Sequence, residues 1–321
     1  MSARTERILL GAVAGVPPLY IAWRILRWAL VDASWGVIAD RYRFILFGPY
    51  PAAEQWRPAI ACALFAAPFS LTMARAAWTR GVVAAWIATE AAAVGLMHGG
   101  AAGLPEVPME LWGGLPLTFL LSTIGFTLAF PVAITLALGR RSQAPAVRAI
   151  CTGWIEVIRG VPLVALLFMA SVLVPLCLPP SAVPDKSVRT LATFAIAIAA
   201  YQAEVVGAGI DGVAPGQREA AAALGLSTGL MTRLIVLPQA MRAALPATIN
   251  TFIAFFKDTT LVMIVGLFDL LGAAHAAVAD GKWTGFGMEV YVFAAFVYGT
   301  SCTLISRCGT RLERAAPGAA A

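Results

Sequence analysis

Charge is scarce in this chain: Asp, Glu, Lys and Arg make up only 12% of its 321 residues, and 60% are hydrophobic. A soluble domain carries roughly 25% charged residues, so the composition excludes an ordinary water-soluble globule and indicates a polytopic membrane protein. Histidine is nearly absent, with His98 and His275 far apart, which leaves no ligand set for haem or zinc, and no metal site is expected. The five cysteines (Cys62, Cys151, Cys177, Cys302 and Cys308) include no CxxC pair and lie in or beside apolar runs, where small buried hydrophobes explain them. No basic block and no aromatic-interleaved groove accompanies the net charge of +6, so nucleic acid is not an expected partner. A GxxxxGK[ST] phosphate loop is also lacking. The sole Gly-Lys pair, Gly281-Lys282, runs into Trp283, and the chain itself is expected to bind no nucleotide or other cofactor.

What is present is a series of apolar runs, each near the length of about 20 residues that crosses a bilayer core. They fall near 8–29, 56–74, 81–98, 113–138, 149–176, 188–209, 244–270 and 289–306. The expected fold is therefore an all-α polytopic protein of about eight transmembrane helices. Arg75/Arg80, Arg140/Arg141/Arg148, Arg218/Arg233/Arg242 and Arg307/Arg311/Arg314 then share one side, with Glu106, Glu110 and Asp280 on the other. The positive-inside rule places both termini in the cytoplasm. The first run follows Arg4 and Arg7, outlasts the core of about 7–15 residues of a signal peptide and shows no small-residue cleavage site, so it reads as an uncleaved span. Arg24, Arg27, Arg41 and Arg43 oppose the rule, and 33-ASWGVIADRYRFILFG-48 has the spacing of an interfacial helix. The Gly/Pro-rich stretch 99-GGAAGLPEVPMELWGG-114 divides the chain. Residues 1–109 form an extension of three spans and the interfacial helix, residues 110–310 a domain of five spans, and 311–321 a cytoplasmic tail.

One segment is unlike the rest, 215-PGQREAAAALGLSTGLMTRLIVLPQ-239. Pro215 suits a first helical turn, where the missing N–H costs nothing, and the alanine-rich run after it is a strong helix former. Gly225 can adopt the left-handed conformation that ends such a helix, and Ser227 or Thr228 can cap a second one. Pro238 is expected to bend or interrupt the chain as it enters the next span. Local physics leaves two readings open: an ordinary amphipathic loop helix, or a small-residue surface that lets another backbone approach closely.

Spacing adds a resemblance. Glu219-Ala220-Ala221, three residues, Gly225, nine residues, then Ile235-x-Leu237-Pro238 resembles the EAA motif of ABC importer permeases at every fixed position. The flanking 201-YQAEVVGAGIDGVAPGQREAAAALGL-226 and 237-LPQAMRAALPATINTFIAFFKDTTLVMIVGLFDLLG-272, with 155-IEVIRGVPLVALLFMASVLVPL-176, look like the polar amino-acid subfamily. The three leading spans, 111-LWGGLPLT-118 and the FMAS stretch are most similar to the long permease subunits of general L-amino-acid importers. One position departs: the subfamily's arginine soon after YxAE is here Gly207, so whatever salt bridge or loop anchor it supplies is either absent here or replaced, as by Asp211 pairing elsewhere.

The resemblance implies a type I ABC importer permease core of five spans preceded by three extra ones, in a bacterial inner membrane. It implies coupling helices near 215–230 that dock on a separate ATPase dimer, which holds the ATP and Mg. Glu219 would make polar contacts there, Ala220 and Ala221 would permit close packing, and Gly225 would set the turn. Ile235, Leu237 and Pro238 would join this element to the span. It further implies a periplasmic amino-acid-binding protein, an L-amino acid substrate, and a second permease subunit, expected as a heterodimer because of the extra spans.

Charges within apolar runs are costly unless they face a cavity or a partner. Gln202 and Glu204 are read as lining a substrate path. Lys257 and Asp258, with Thr259, serve either that path or interhelical packing, and Glu156 and Arg159 read as packing charges. Intramembrane charge alone would also suit an ion-coupled secondary amino-acid transporter, a reading that leaves the EAA spacing unexplained.

Overall fold

The computed structural model describes residues 17–75, 80–101, 103–279 and 281–315. Residues 8–16 of the first expected span, Asp280 and residues 316–321 of the expected tail lie outside these. Helix α1 (17–27) leads into a π-helical turn at Trp28–Asp32 and then α2 (Gly36–Phe47). Helices α3 (Trp56–Leu64), α4 (Ala66–Arg75) and α5 (Arg80–His98) follow. The remainder comprises α6 (Gly114–Gly139), α7 (Pro145–Gly160), α8 (Leu163–Cys177), α9 (Lys186–Asp211), α10 (Pro215–Ala223), α11 (Thr228–Met231), α12 (Leu237–Asp258), α13 (Leu270–Ala277) and α14 (Gly287–Ala315). The all-α class is as expected.

The count of eight spans is not reproduced among the described residues, which leave out 8–16 of the first. Among them, six helical segments are long and apolar enough to cross a membrane: Ala52–Ala74, Arg80–His98, Gly114–Gly139, Lys186–Asp211, Thr228–Val265 and Gly287–Ala315. The expected span 149–176 is instead two helices, α7 and α8, bent by 97°, and counts as a seventh only if the pair is taken together. The break follows from Pro162, whose ring disfavours helical backbone at the residue before it; Val161 is extended, with φ −95° and ψ 129°. The expected span 244–270 is also displaced, since the helical path already begins at Thr228 and ends at Val265.

Helix α9 is the centre of the molecule and lies most extensively against α6 and α12. Its buried face carries Ala197, Ala200, Ala203, Gly207 and Gly209, and small residues let membrane helices approach closely. A Cβ at Gly209 would stand 2.4 Å from the Ala240 carbonyl oxygen of α12. Where the extension joins the core, Gly114 at the start of α6 has φ +65°, and a Cβ there would meet Leu46 O at 2.1 Å. Gly113 and Gly114 also form parallel bridges with Phe268 and Asp269, so the Gly-Gly pair marks a three-way crossing of backbones.

The expected interfacial segment is α2, which buries Val37 and Ile45 against α13 and α14. Its Asp40 pairs with Lys282, and the Ser34 N–H before it donates to Glu289 Oε1 at 2.9 Å. Helices α3 to α5 pack on α6 through Tyr50, Phe65, Trp112 and Leu120. At their centre lies Arg57, fully buried. It donates to Leu96 O at 2.7 Å, Pro105 O at 2.9 Å and Met97 O at 3.2 Å. These include the orphan carbonyls at the end of α5, where a cation is favoured. Between α4–α5 and the core helices α6, α12 and α14 an apolar cavity of about 520 Å³ remains, into which Glu90 faces, bonded by the Thr127 hydroxyl at 3.0 Å.

Candidate docking segment and charge cluster

The segment 215–239 folds largely as its residues dictate. Pro215 occupies the first turn of α10. That helix ends in a Schellman arrangement, with Leu226 N–H donating to Ala221 O at 3.1 Å and Gly225 N–H to Ala222 O at 2.9 Å. Gly225 has φ +73°. The Ser227 hydroxyl caps α11 by accepting from Leu230 N–H at 3.4 Å. Pro238 behaves differently from one part of the expectation: it does not interrupt the helical path. It sits in the first turn of α12, and the π-helical turn Thr232–Val236 before it lets the helical path run on from Thr228. A π turn re-spaces the hydrogen-bond ladder, which accommodates a residue without an N–H.

The face presented by α10 is small and unpartnered. Ala221 is buried, while Glu219, Ala220, Ala222 and Ala223 are exposed, and Leu224 is 79% exposed. Open space surrounds Gly225. Ile235 and Leu237 are half-buried, at the root of the segment. Arg218 Nη2 donates to Ile210 O at 2.8 Å, and Gln239 Nε2 to Gln217 Oε1 at 3.2 Å. Thus α10 is fastened to the end of α9 on one side and the start of α12 on the other.

Two adjacent arginines at the end of α6 organise the charges nearby. Arg140 Nη1 donates to Glu204 Oε2 at 2.6 Å, and its Nη2 stands 3.8 Å from Glu156 Oε1. Arg159 Nη1 is 3.3 Å from the same Glu204 oxygen, and its guanidinium lies 5.5 Å from the Tyr201 ring centroid. Glu156 and Arg159 therefore serve contacts between helices. Arg141 reaches the opposite way, pairing with both carboxylate oxygens of Asp211 and donating to Gly207 O at 2.8 Å and Ala137 O at 2.9 Å. A Cβ at Gly207 would lie 2.9 Å from Arg141 Nη1. The place where the resemblance led one to expect an arginine on α9 is filled by a guanidinium from α6. Arg140 and Arg141 stand in the sequence among the same-side cations, with nothing local that assigns their partners. The signal available was a vacant Gly207 one turn before an unpaired Asp211.

The substrate-path candidates do not form one cluster. Gln202 is fully buried, and its Nε2 donates to Thr248 Oγ1 of α12 at 2.6 Å while its Oε1 accepts no hydrogen bond. Glu204, two residues on, faces the arginines instead. Lys257, Asp258 and Thr259 stand at the far end of the Thr228–Val265 span rather than in its middle. Lys257 is exposed and Asp258 half-buried. Thr259 is fully buried, donating to Phe256 O at 2.9 Å, with its hydroxyl 3.4 Å from the Tyr298 hydroxyl, which in turn donates to Asp269 Oδ2 at 2.6 Å. Thr259 thus belongs to a buried network of hydroxyls around Asp269.

Comparison with known proteins agrees with this architecture. Residues 129–316 match the family described as the inner membrane component of binding-protein-dependent transport systems. The chain is 37% identical, over 316 residues, to the inner membrane amino-acid ABC transporter permease protein YhdY of Escherichia coli strain K12, covering 93% of this chain and 84% of that one. It is 41% identical over 212 residues to the glutamate/glutamine/aspartate/asparagine transport system permease protein BztC of Rhodobacter capsulatus. That match covers 66% of this chain and 49% of BztC, about half the relative's length. Among solved structures, the crystal structure of an amino acid ABC transporter with histidines superposes with a TM-score of 0.57 at 29% identity, covering 63% of this chain and 91% of that one. The resemblance first carried by the spacing from Glu219 to Pro238 is thereby confirmed, and the chain belongs to the family of inner-membrane components of binding-protein-dependent transport systems.

Proposed function

We propose that this chain is the translocating permease subunit of an ATP-driven importer of L-amino acids. The observation that carries the reading is α10, a short helix of small exposed residues ended by a left-handed glycine and fastened near its N-terminal end to both α9 and α12. Such a surface suits insertion into a groove on a separate ATPase. Glu219 makes the polar contact, Ala220 and the buried Ala221 keep the helix slim, and Leu224 supplies an apolar knob. Ile235, Leu237 and Pro238 hold this element to α12. The relatives named for amino-acid transport support the substrate class.

In this reading an ATPase dimer holds ATP and Mg and pulls the docking helices together. The core then rocks between inward- and outward-facing states as rigid bodies. A periplasmic amino-acid-binding protein delivers the substrate. The chain pairs with a second, different permease subunit, the three-helix extension marking a division of labour. It resides in a bacterial inner membrane with both termini in the cytoplasm.

Gln202, with its free Oε1 between α9 and α12, and Glu204 line the path. Lys257 and Asp258 meet the substrate at the opposite end of α12, where Thr259 fixes the local backbone. Glu204→Gln is expected to lower uptake at least tenfold, because neutral Gln cannot hold two guanidiniums in place, while subunit assembly measured by co-purification persists. Wild-type uptake by this variant would remove Glu204 from the path.

The reading as a whole is tested in proteoliposomes containing this chain, its ATPase, its permease partner and the binding protein. Uptake of labelled L-amino acids is expected to require ATP and to ignore an uncoupler. Uptake that survives omission of the ATPase and collapses with an uncoupler would instead establish an ion-coupled transporter.

A further inference from the structure

We infer that Arg141 is a positioning residue for energy coupling: it bolts the last turn of α9, from which the docking segment springs, to the end of α6. This rests on the docking role proposed above for α10. The link between α9 and α10 is the three residues 212-GVA-214. Two arginines bridge it. Arg218 of α10 donates to Ile210 O, and Arg141 of α6 grips Gly207 O and Asp211 on the same turn. Movement of α10 is therefore passed first to α9 and then to α6, the helix against which α9 packs most extensively.

The geometry of Arg141 is that of a fixed fork. Its Nε and Nη2 meet the two oxygens of Asp211, Nη2 also donates to Gly207 O, and Nη1 donates to Ala137 O on its own helix. Four of the five donors of a guanidinium are thus engaged, and a lysine could satisfy only part of this set. A Cβ at Gly207 would stand 2.9 Å from Nη1 and 3.1 Å from Nη2, so a side chain there displaces the end of the arginine. Asp211 is itself largely exposed, 66% by side chain, and exposed ion pairs add little to folding stability. The bolt therefore fixes the position of the α9 terminus more than it stabilises the fold, so its loss shows in coupling.

Position 207 lies one helical turn before Asp211, so an arginine grown from α9 itself can reach the same carboxylate once Arg141 is gone, but it ties α9 only to itself and not to α6. This separates charge pairing from the tie in the complete reconstituted importer, read as amino acid transported per ATP hydrolysed. Arg141→Ala is expected to recruit the ATPase yet lower that ratio on the order of tenfold, within the range typical of coupling free energies. Arg141→Lys is expected to fall between Arg141→Ala and wild type. Gly207→Arg alone, which forces two guanidiniums together, is expected to lower the ratio as well. The double variant Arg141→Ala/Gly207→Arg, which gives Asp211 a cation but restores no tie to α6, is expected to stay as low as Arg141→Ala. A wild-type ratio in Arg141→Ala, or a double variant that recovers the wild-type ratio, overturns the inference. Glu219→Ala, run alongside, separates the two ideas: if it keeps full ATPase recruitment the docking role fails, whatever the arginine variants do.

Discussion

Gly225→Val is expected to abolish ATP-driven uptake, to about 1% of wild type or less, while the protein remains folded in the membrane. The native backbone at this residue is left-handed, with φ +73°, a conformation that costs an L side chain roughly 1–2 kcal/mol and more if it is β-branched. No atom lies within 4 Å of the added Cβ position, so the isolated chain meets no steric clash. The damage is confined to the turn. Relieving the strain swings Ser227 away from Leu230 N–H and reorients Leu224 and α11 relative to α10. Gly225→Asn, whose side chain tolerates the left-handed region, is expected to keep most uptake. Measuring uptake and detergent-solubilised melting temperature together checks the claim; Val and Asn variants with equal uptake would contradict it.

The second large effect is on stability and lies in helices α3 to α5. Arg57→Leu removes the donor shared by Leu96 O, Met97 O and Pro105 O and leaves Glu54, 3.5 Å away, without its cation. Each buried polar group so orphaned costs about 1–3 kcal/mol, and loss on the order of 3 kcal/mol or more is expected for helices α3 to α5. Because Tyr50 donates separately to Met97 O at 2.7 Å, part of that site stays satisfied, which keeps the loss below the full sum. Limited proteolysis of membranes is expected to cleave the 99–112 connection at least tenfold faster in the variant. Cleavage at the wild-type rate would show that the arginine contributes little.

Legibility followed the range of the interactions. The segment 215–239 was readable because its signals are local: Pro215 opens a helix, Gly225 closes it and Ser227 caps the next. The break between α7 and α8 was equally local, at Pro162, yet a hydropathy window averages across it and returns one span. The start of the α12 span was misplaced for a related reason. Arg233 and Arg242 lower the apolar average, whereas helical continuity through Thr232–Val236 depends on backbone bonding that a π turn preserves past Pro238. Arg57 was hidden inside an apolar run, since its partners lie 39 to 48 residues away. Arg141 and Asp211 are 70 residues apart, and only the vacant Gly207 hinted that a guanidinium arrives from elsewhere. Charge within an apolar run marks a costly residue but is blind to the direction in which its side chain points. Gln202 and Glu204 are two residues apart on α9 yet face different neighbours.

The central claim is that α10 is the surface on which the ATPase docks, and co-purification tests it most directly. The double variant Glu219→Ala/Leu224→Asp removes the exposed carboxylate and puts a charge on the exposed apolar knob, with no buried contact disturbed. Tagged wild-type protein is expected to retain its ATPase partner through purification. The double variant, inserted and folded to the same level, is expected to retain less than a tenth as much. Equal retention of the ATPase by both would contradict the account.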